Sequence, residues 1–187
     1  MDEFSYLSVL LSVILGLAVT EILQGFRALL LSRKQVRIYW PVIAWGVLIL
    51  LVCFQNWWSM FGMRNRHDWR FEQFAMVLLQ TILIYMVAGL VFPEFTGEGA
   101  IDLKESFYAH RRWFFALGAS TVVVSIAKNV VLDGHLPNSK DLSFHLVFAV
   151  MLLSGVLISD ERYHKVLVVF VIVTFVFYTL LLYARIG

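Results

Sequence analysis

Charge is what this 187-residue sequence lacks most. Asp, Glu, Lys and Arg make up 15% of it, where a soluble domain carries about a quarter. With 60% of its residues apolar, the chain cannot clothe a water-facing surface, which excludes an ordinary soluble domain. Its formal net charge of +2 is too small to gather a polyanion, so no nucleic-acid partner is implied. Cysteine is nearly absent. Cys53 stands alone, so no intramolecular disulfide can form and the redox compartment stays open. The start, Met1-Asp2-Glu3-Phe4, is acidic. It lacks the basic n-region of a cleavable signal peptide, and the first apolar run is expected to remain in place as a helix. Metal-protease, nucleophile-elbow, P-loop and dinucleotide signatures are missing as well, and no cofactor is implied.

What the sequence has instead is long stretches without charge. Residues 38–63, 73–93, 113–127, 142–159 and 166–184 contain no Asp, Glu, Lys or Arg, and the first stretch, 4–31, is broken only by Glu21 and Arg27. About 17–25 apolar residues cross a bilayer as a helix. These runs are continuous, without the apolar-polar alternation of a membrane barrel. The pattern predicts an all-α integral membrane protein, a single domain over 1–187. It is a bundle of about six transmembrane helices with short loops, spanning 4–31, 38–63, 73–93, 113–132, 142–159 and 166–184. The fourth reaches its length if Lys128 snorkels to the interface. Before it, Thr96-Gly97-Glu98-Gly99 signals a turn and Asp102-Leu103-Lys104-Glu105 reads as a capping box. A short interfacial helix is expected there, running into the fourth span.

Lys and Arg in the links set the orientation. Arg27, Arg33, Lys34, Arg37, Lys104, Arg111, Arg112, Arg162 and Lys165 fall on one side. Arg64, Arg66, Arg70, Lys128, Lys140 and Arg185 fall on the other. Nine against six favours both termini outside. The segments Tyr39-Trp40-Pro41, Gln55-Asn56-Trp57-Trp58 and His110-Arg111-Arg112-Trp113-Phe114-Phe115 resemble those of small multi-pass proteins of bacterial membranes to which no activity is assigned. The resemblance implies a bacterial inner membrane and no particular chemistry.

Several residues are candidates for more than apolar packing. Ser8, Ser12, Gly16 and Thr20 recur every fourth residue, and such a row lets two helices approach closely. Gly16 is therefore expected at a tight helix contact. A carboxylate at membrane depth is costly and usually paired, so Glu21 is expected to form an ion pair with Arg111 or Arg112. Gln55, Asn56, Gln80, Lys128 and His145 come from four helices at similar depth. Uncompensated polar groups in hydrocarbon cost several kcal/mol each, so these five are expected to gather in a pocket, where Lys128 and His145 would favour a small anionic solute. Of the other histidines, His67 and His164 read as solvated link residues. No two histidines are spaced i,i+4 as a metal or haem pair on one helix would need. Most of the six tryptophans lie near predicted helix ends, as in an interfacial aromatic belt.

Three functions remain. The leading expectation is a channel or transporter with a small polar pocket between helices two to five. The second is a non-enzymatic accessory or sensory subunit, monomeric or oligomeric, whose polar residues only fix helix packing. The third, a membrane-embedded enzyme, lacks an evident acid-base or metal set. A void at the polar residues would favour the first, direct hydrogen bonds without a void the second, and a carboxylate beside His145 the third.

Overall fold

A computed structural model of the chain describes residues 3–32, 34–95 and 100–182. The turn expected at Thr96-Gly97-Glu98-Gly99, and the basic residues Arg33 and Arg185, lie outside the described residues. Among the described residues, six helices are long and apolar enough to cross a membrane. They are α1 (Glu3–Leu31), α2 (Trp40–Met60), α3 (Phe71–Gly89), α4 (Leu103–Asp133), α5 (Ser139–Leu157) and α6 (Glu161–Leu182). A 3-10 turn, Phe61–Met63, extends α2.

Helix starts follow local chemistry. Pro41 sits in the first turn of α2, where its missing N–H costs nothing. The Asp102 side chain accepts from the Lys104 and Glu105 amides at 2.9 and 3.3 Å. Those bonds, the Glu105 amide first, hold its carboxyl below the usual carboxylate range, with Arg37 assisting. From this cap α4 runs unbroken for 31 residues. The expected interfacial helix and fourth span are thus one element. It stops at Gly134, whose φ of 74° suits a residue without Cβ. Asn138 caps α5 by accepting from the Asp141 amide at 3.0 Å.

Around the bundle, α1 packs on α3, α3 on α4, α4 on α5, α5 on α6, α6 on α2, and α2 on α1. The second helix also touches α3 and α4, and it buries Val42, Trp45, Leu48, Ile49 and Cys53. Two short strands, β1 (Val36–Arg37) and β2 (Ile101–Asp102), pair in parallel. This bridge ties the first and third links together at one end, beside the Arg37–Asp102 pair at 3.2 Å. Lys104 and Lys165 both pair with Glu161 at that end. Tyr39 lies among them, and burial followed by its neighbour Tyr108 pushes its phenol pKa up. At the opposite end Arg66 reaches Asp133 and the Leu132 carbonyl, and the Trp69 amide donates to Glu3.

The small-residue row of α1 is placed differently from the expectation. The face of α1 turned inward carries Leu11, Leu15, Ala18, Ile22 and Gly25, whereas Ser12, Gly16 and Thr20 are exposed and Ser8 is half-buried. A Cβ on Gly16 would meet nothing within 4 Å. Regular spacing defines a row but not the side it faces, and the apolar residues decide the side. The close contacts fall at other glycines. A Cβ on Gly25 would lie 2.1 Å from the Phe92 ring, and one on Gly155 2.7 Å from the Phe115 ring. Phe115 is fully buried, stacks on His164 and meets Trp45 edge-on, so it has little room to yield. Gly155→Ala is therefore expected to destabilise the protein by about 1–3 kcal/mol, the usual cost of overpacking. Gly16→Leu should leave the melting temperature in detergent unchanged. Equal losses for the two variants would place the Gly16 row inside a contact after all.

Candidate functional site

Five helices turn regularly spaced residues toward a common chamber. Lining residues recur at helical intervals: Gln80, Ile84 and Val87 on α3; Phe114, Gly118, Thr121 and Ser125 on α4; His145, Phe148 and Leu152 on α5; Val171, Phe175 and Tyr178 on α6. The second helix adds Trp45, Leu48, Ile49, Val52 and Gln55. Spacings of three, four and seven keep side chains on one helix face. The chamber holds about 160 Å³ and is partly open. Its wall is mostly apolar. The helices alternate in direction, so Gln55, Gln80, Ser125, His145 and Tyr178 come together toward one end of it.

The polar end is organised around one imidazole. His145 is 7% exposed. Its Nδ1 lies 2.8 Å from the Asp141 main-chain carbonyl, one turn back on α5, and its Nε2 lies 3.0 Å from Ser125 Oγ on α4. A carbonyl oxygen can only accept, so Nδ1 carries the proton. The neutral ring then presents a lone pair at Nε2, and the Ser125 hydroxyl donates to it. The Asp141 carboxylate Oδ1 stands 3.2 Å from Nδ1. The N–H is directed at the carbonyl, and among the described residues Oδ1 has no hydrogen bond of its own, so the carboxylate acts on the ring through its charge. Tyr178 hydrogen-bonds the same carboxylate and sets its ring edge-on to the imidazole, 6.0 Å away. Asn129 donates to the Ser125 carbonyl at 3.2 Å.

Protein-family models, curated proteins and solved structures were all compared with the chain, and nothing matches. The chemistry therefore rests on the side chains themselves.

Of the five residues expected to share a pocket, Gln55, Gln80 and His145 line the chamber, while Asn56 and Lys128 do not. Asn56 is buried on another face of α2 with its Nδ2 unpaired among the described residues. Lys128 lies near Asp141 and Asp133. The Asp141 carboxylate stands 3.2 Å from the imidazole, and the Lys128 ammonium also acts on the ring, so charges of both signs lie near it. Ser125, Asp141 and Tyr178 were not among the candidates. Asp141 and His145 do share the i,i+4 spacing that puts two side chains on one helix face, and that signal is present in the sequence. Trp45 is also core rather than interfacial, 2% exposed between Phe114 and Phe115.

The expected ion pair of Glu21 with Arg111 or Arg112 is not among the pairs of the described residues. Glu21 is exposed and edges a separate recess with Gln24, Arg27 and Glu94. Arg112 is exposed. Arg111 is buried and donates to the main-chain carbonyls of Gly155, at 3.0 Å, and Ile158. His164, expected in solvent, is fully buried. Its Nε2 meets the Ile158 carbonyl at 2.8 Å, inside a box of Phe107, Tyr108, Phe115 and Tyr163. The last carbonyls of a helix have no partner within it, and here the partners come from α4 and α6. A cation is favoured at that end of the helix dipole, which explains why Arg111 turns there rather than toward Glu21. Arg111→Met should cost roughly 1–3 kcal/mol, the penalty for leaving a buried acceptor unmet, and Glu21→Gln should cost nothing measurable. Unchanged melting of Arg111→Met in detergent would contradict this capping role.

Proposed function

We propose that this chain is a multi-pass protein of the bacterial inner membrane, of the channel or transporter type. Both termini are periplasmic, and the chamber among α2 to α6 receives a small solute. Support for insertion comes from six helices of sufficient length and apolarity. Water is absent from a bilayer core, and helices satisfy their own backbone there. Support for orientation comes from the β1–β2 end, which gathers Lys34, Arg37, Lys104, Arg111, Arg112, Arg162 and Lys165. Such a basic end is normally cytoplasmic.

The chamber is the observation that carries the solute reading. Protein interiors pack to the density of organic crystals. A partly open chamber of about 160 Å³ departs from that density. A bundle that used its polar groups only for packing has no need of such a space. The apolar wall with one polar end fits a solute that is largely apolar and carries a single polar group. A small anion fits less well, with Lys128 outside the wall and Asp141 beside His145. The direct Ser125–His145 bond between α4 and α5 is what an accessory subunit held by polar packing would also show, and the chamber is the observation that favours the solute reading.

Two measurements test this. Val87 is 4% exposed and lines the chamber. Val87→Phe should raise the melting temperature of the solute-free protein by filling space, and a structure in lipid should show non-protein density in the wild-type chamber and none in the variant. A drop of 1–3 kcal/mol, as for overpacking a filled core, together with no density in wild type, would favour the accessory reading. Reporter fusions at Gln35 and Gly187 test the orientation: cytoplasmic activity is expected at Gln35 only, and activity at Gly187 would invert it.

A further inference from the structure

We propose that Ser125 is a nucleophile and His145 its general base, and that the chamber hydrolyses a small uncharged carboxylic ester. This rests on the reading of the chamber as open to solutes. A serine hydroxyl is a weak nucleophile until a neighbouring base can take its proton, and the base must be held in the correct tautomer by a third group. All three conditions are met in this bundle. Ser125 Oγ lies 3.0 Å from His145 Nε2. The Asp141 carbonyl, 2.8 Å from Nδ1, leaves Nε2 as the acceptor. The Asp141 carboxylate, 3.2 Å from Nδ1, stabilises the imidazolium that forms when the proton moves. Both Ser125 and His145 are in the chamber wall, so a bound molecule can reach the hydroxyl.

The steps balance with water as the only co-reactant. The Ser125 oxygen bonds to the ester carbonyl carbon as its proton passes to Nε2. The carbon–alkoxide bond then breaks, and the alcohol leaves with that proton. Water, deprotonated by the same Nε2, attacks the acyl carbon. The bond to Ser125 Oγ breaks, and the proton returns to the serine. The amides of Gln80 and Gln55 are in the same wall and are the candidate N–H donors for the carbonyl oxygen as it gains charge. Size limits the acyl group. An engineered cavity of about 150 Å³ admits benzene, so a chamber of about 160 Å³ takes a short apolar acyl chain rather than a full lipid tail.

The experiment treats the full chain in lipid nanodiscs with diisopropyl fluorophosphate, which is compact, uncharged and phosphorylates activated serines with loss of fluoride. Mass spectrometry should locate one adduct at Ser125. The adduct should be absent in Ser125→Ala, and its rate should fall at least about 100-fold in His145→Gln, the usual contribution of a general base. Asp141→Asn should slow it far less, because the main-chain carbonyl still fixes the tautomer. A loss as large as that of His145→Gln would overturn the main-chain carbonyl as the group that fixes the tautomer. Gel filtration and thermal melting establish that each variant folds. Access is measured separately in Ser125→Cys with methyl methanethiosulfonate, the modified peptide being distinguished from that of Cys53. Modification of that variant without phosphorylation of the wild type would overturn the nucleophile and leave the chamber reading standing. Failure of both reagents would overturn the open chamber and the nucleophile with it.

Discussion

The Phe115 ring lies against Gly155 with no Cβ between them, and the geometry of the polar site follows from that contact. A side chain at 155 would push α4 and α5 apart, since even a methyl would come 2.7 Å from the ring. With glycine there the helices close and run antiparallel in a fixed register. Phe115 meets Gly155, Gly118 meets Leu152, and Ser125 meets His145. Each step forward along α4 is matched by an equal step back along α5. Ten residues of helix are about 15 Å, so the glycine contact and the Ser125–His145 bond lie well apart on one straight seam.

The seam also has to solve a problem of unpaired backbone. Helix α5 begins with Asn138 covering an orphan amide. It ends with carbonyls that its own turns cannot satisfy, and Arg111 and His164 close that end. Both side chains are buried, so they supply these bonds where water has little access. The aromatic box around His164 is therefore a consequence of polar accounting as much as of apolar packing. Phe115 takes part in both, stacked on the imidazole on one side and seated on Gly155 on the other. One aromatic ring thus sets the spacing of the α4–α5 seam and shelters the group that caps the end of α5.

Much of this was legible in the sequence. Charge-free runs marked all six helices, because an apolar stretch of sufficient length says helix whatever it packs against. The Asp102 cap was legible too, being purely local. The facing of helices was not. The row of Ser12, Gly16 and Thr20 looks like a contact ridge by spacing, yet Leu11, Leu15, Ala18 and Ile22 outweigh it for the inner face. His164 falls in a stretch that reads as a link, and only the need of the Ile158 carbonyl for a donor explains its burial. For the site, Asp141 and His145 share a face by spacing alone. That Ser125 lies opposite depends on the α4–α5 register, which a single small residue at 155 sets and no motif announces.

The one-sided polarity of the chamber follows from the same topology. Antiparallel neighbours bring the C-terminal halves of α2, α4 and α6 level with the N-terminal halves of α3 and α5. Gln55, Ser125 and Tyr178 come from the first set, Gln80 and His145 from the second. A polar residue moved by half a helix on any one of them would enter the apolar end among Phe114, Leu152 and Val171, where nothing could satisfy it. Burying a polar group without a partner costs on the order of 1–3 kcal/mol or more, which confines such residues to the end where others wait. On the proposed solute reading, the apolar remainder of the wall would hold the body of the molecule, and the end that carries Gln55, Gln80, Ser125 and His145 would take its polar group.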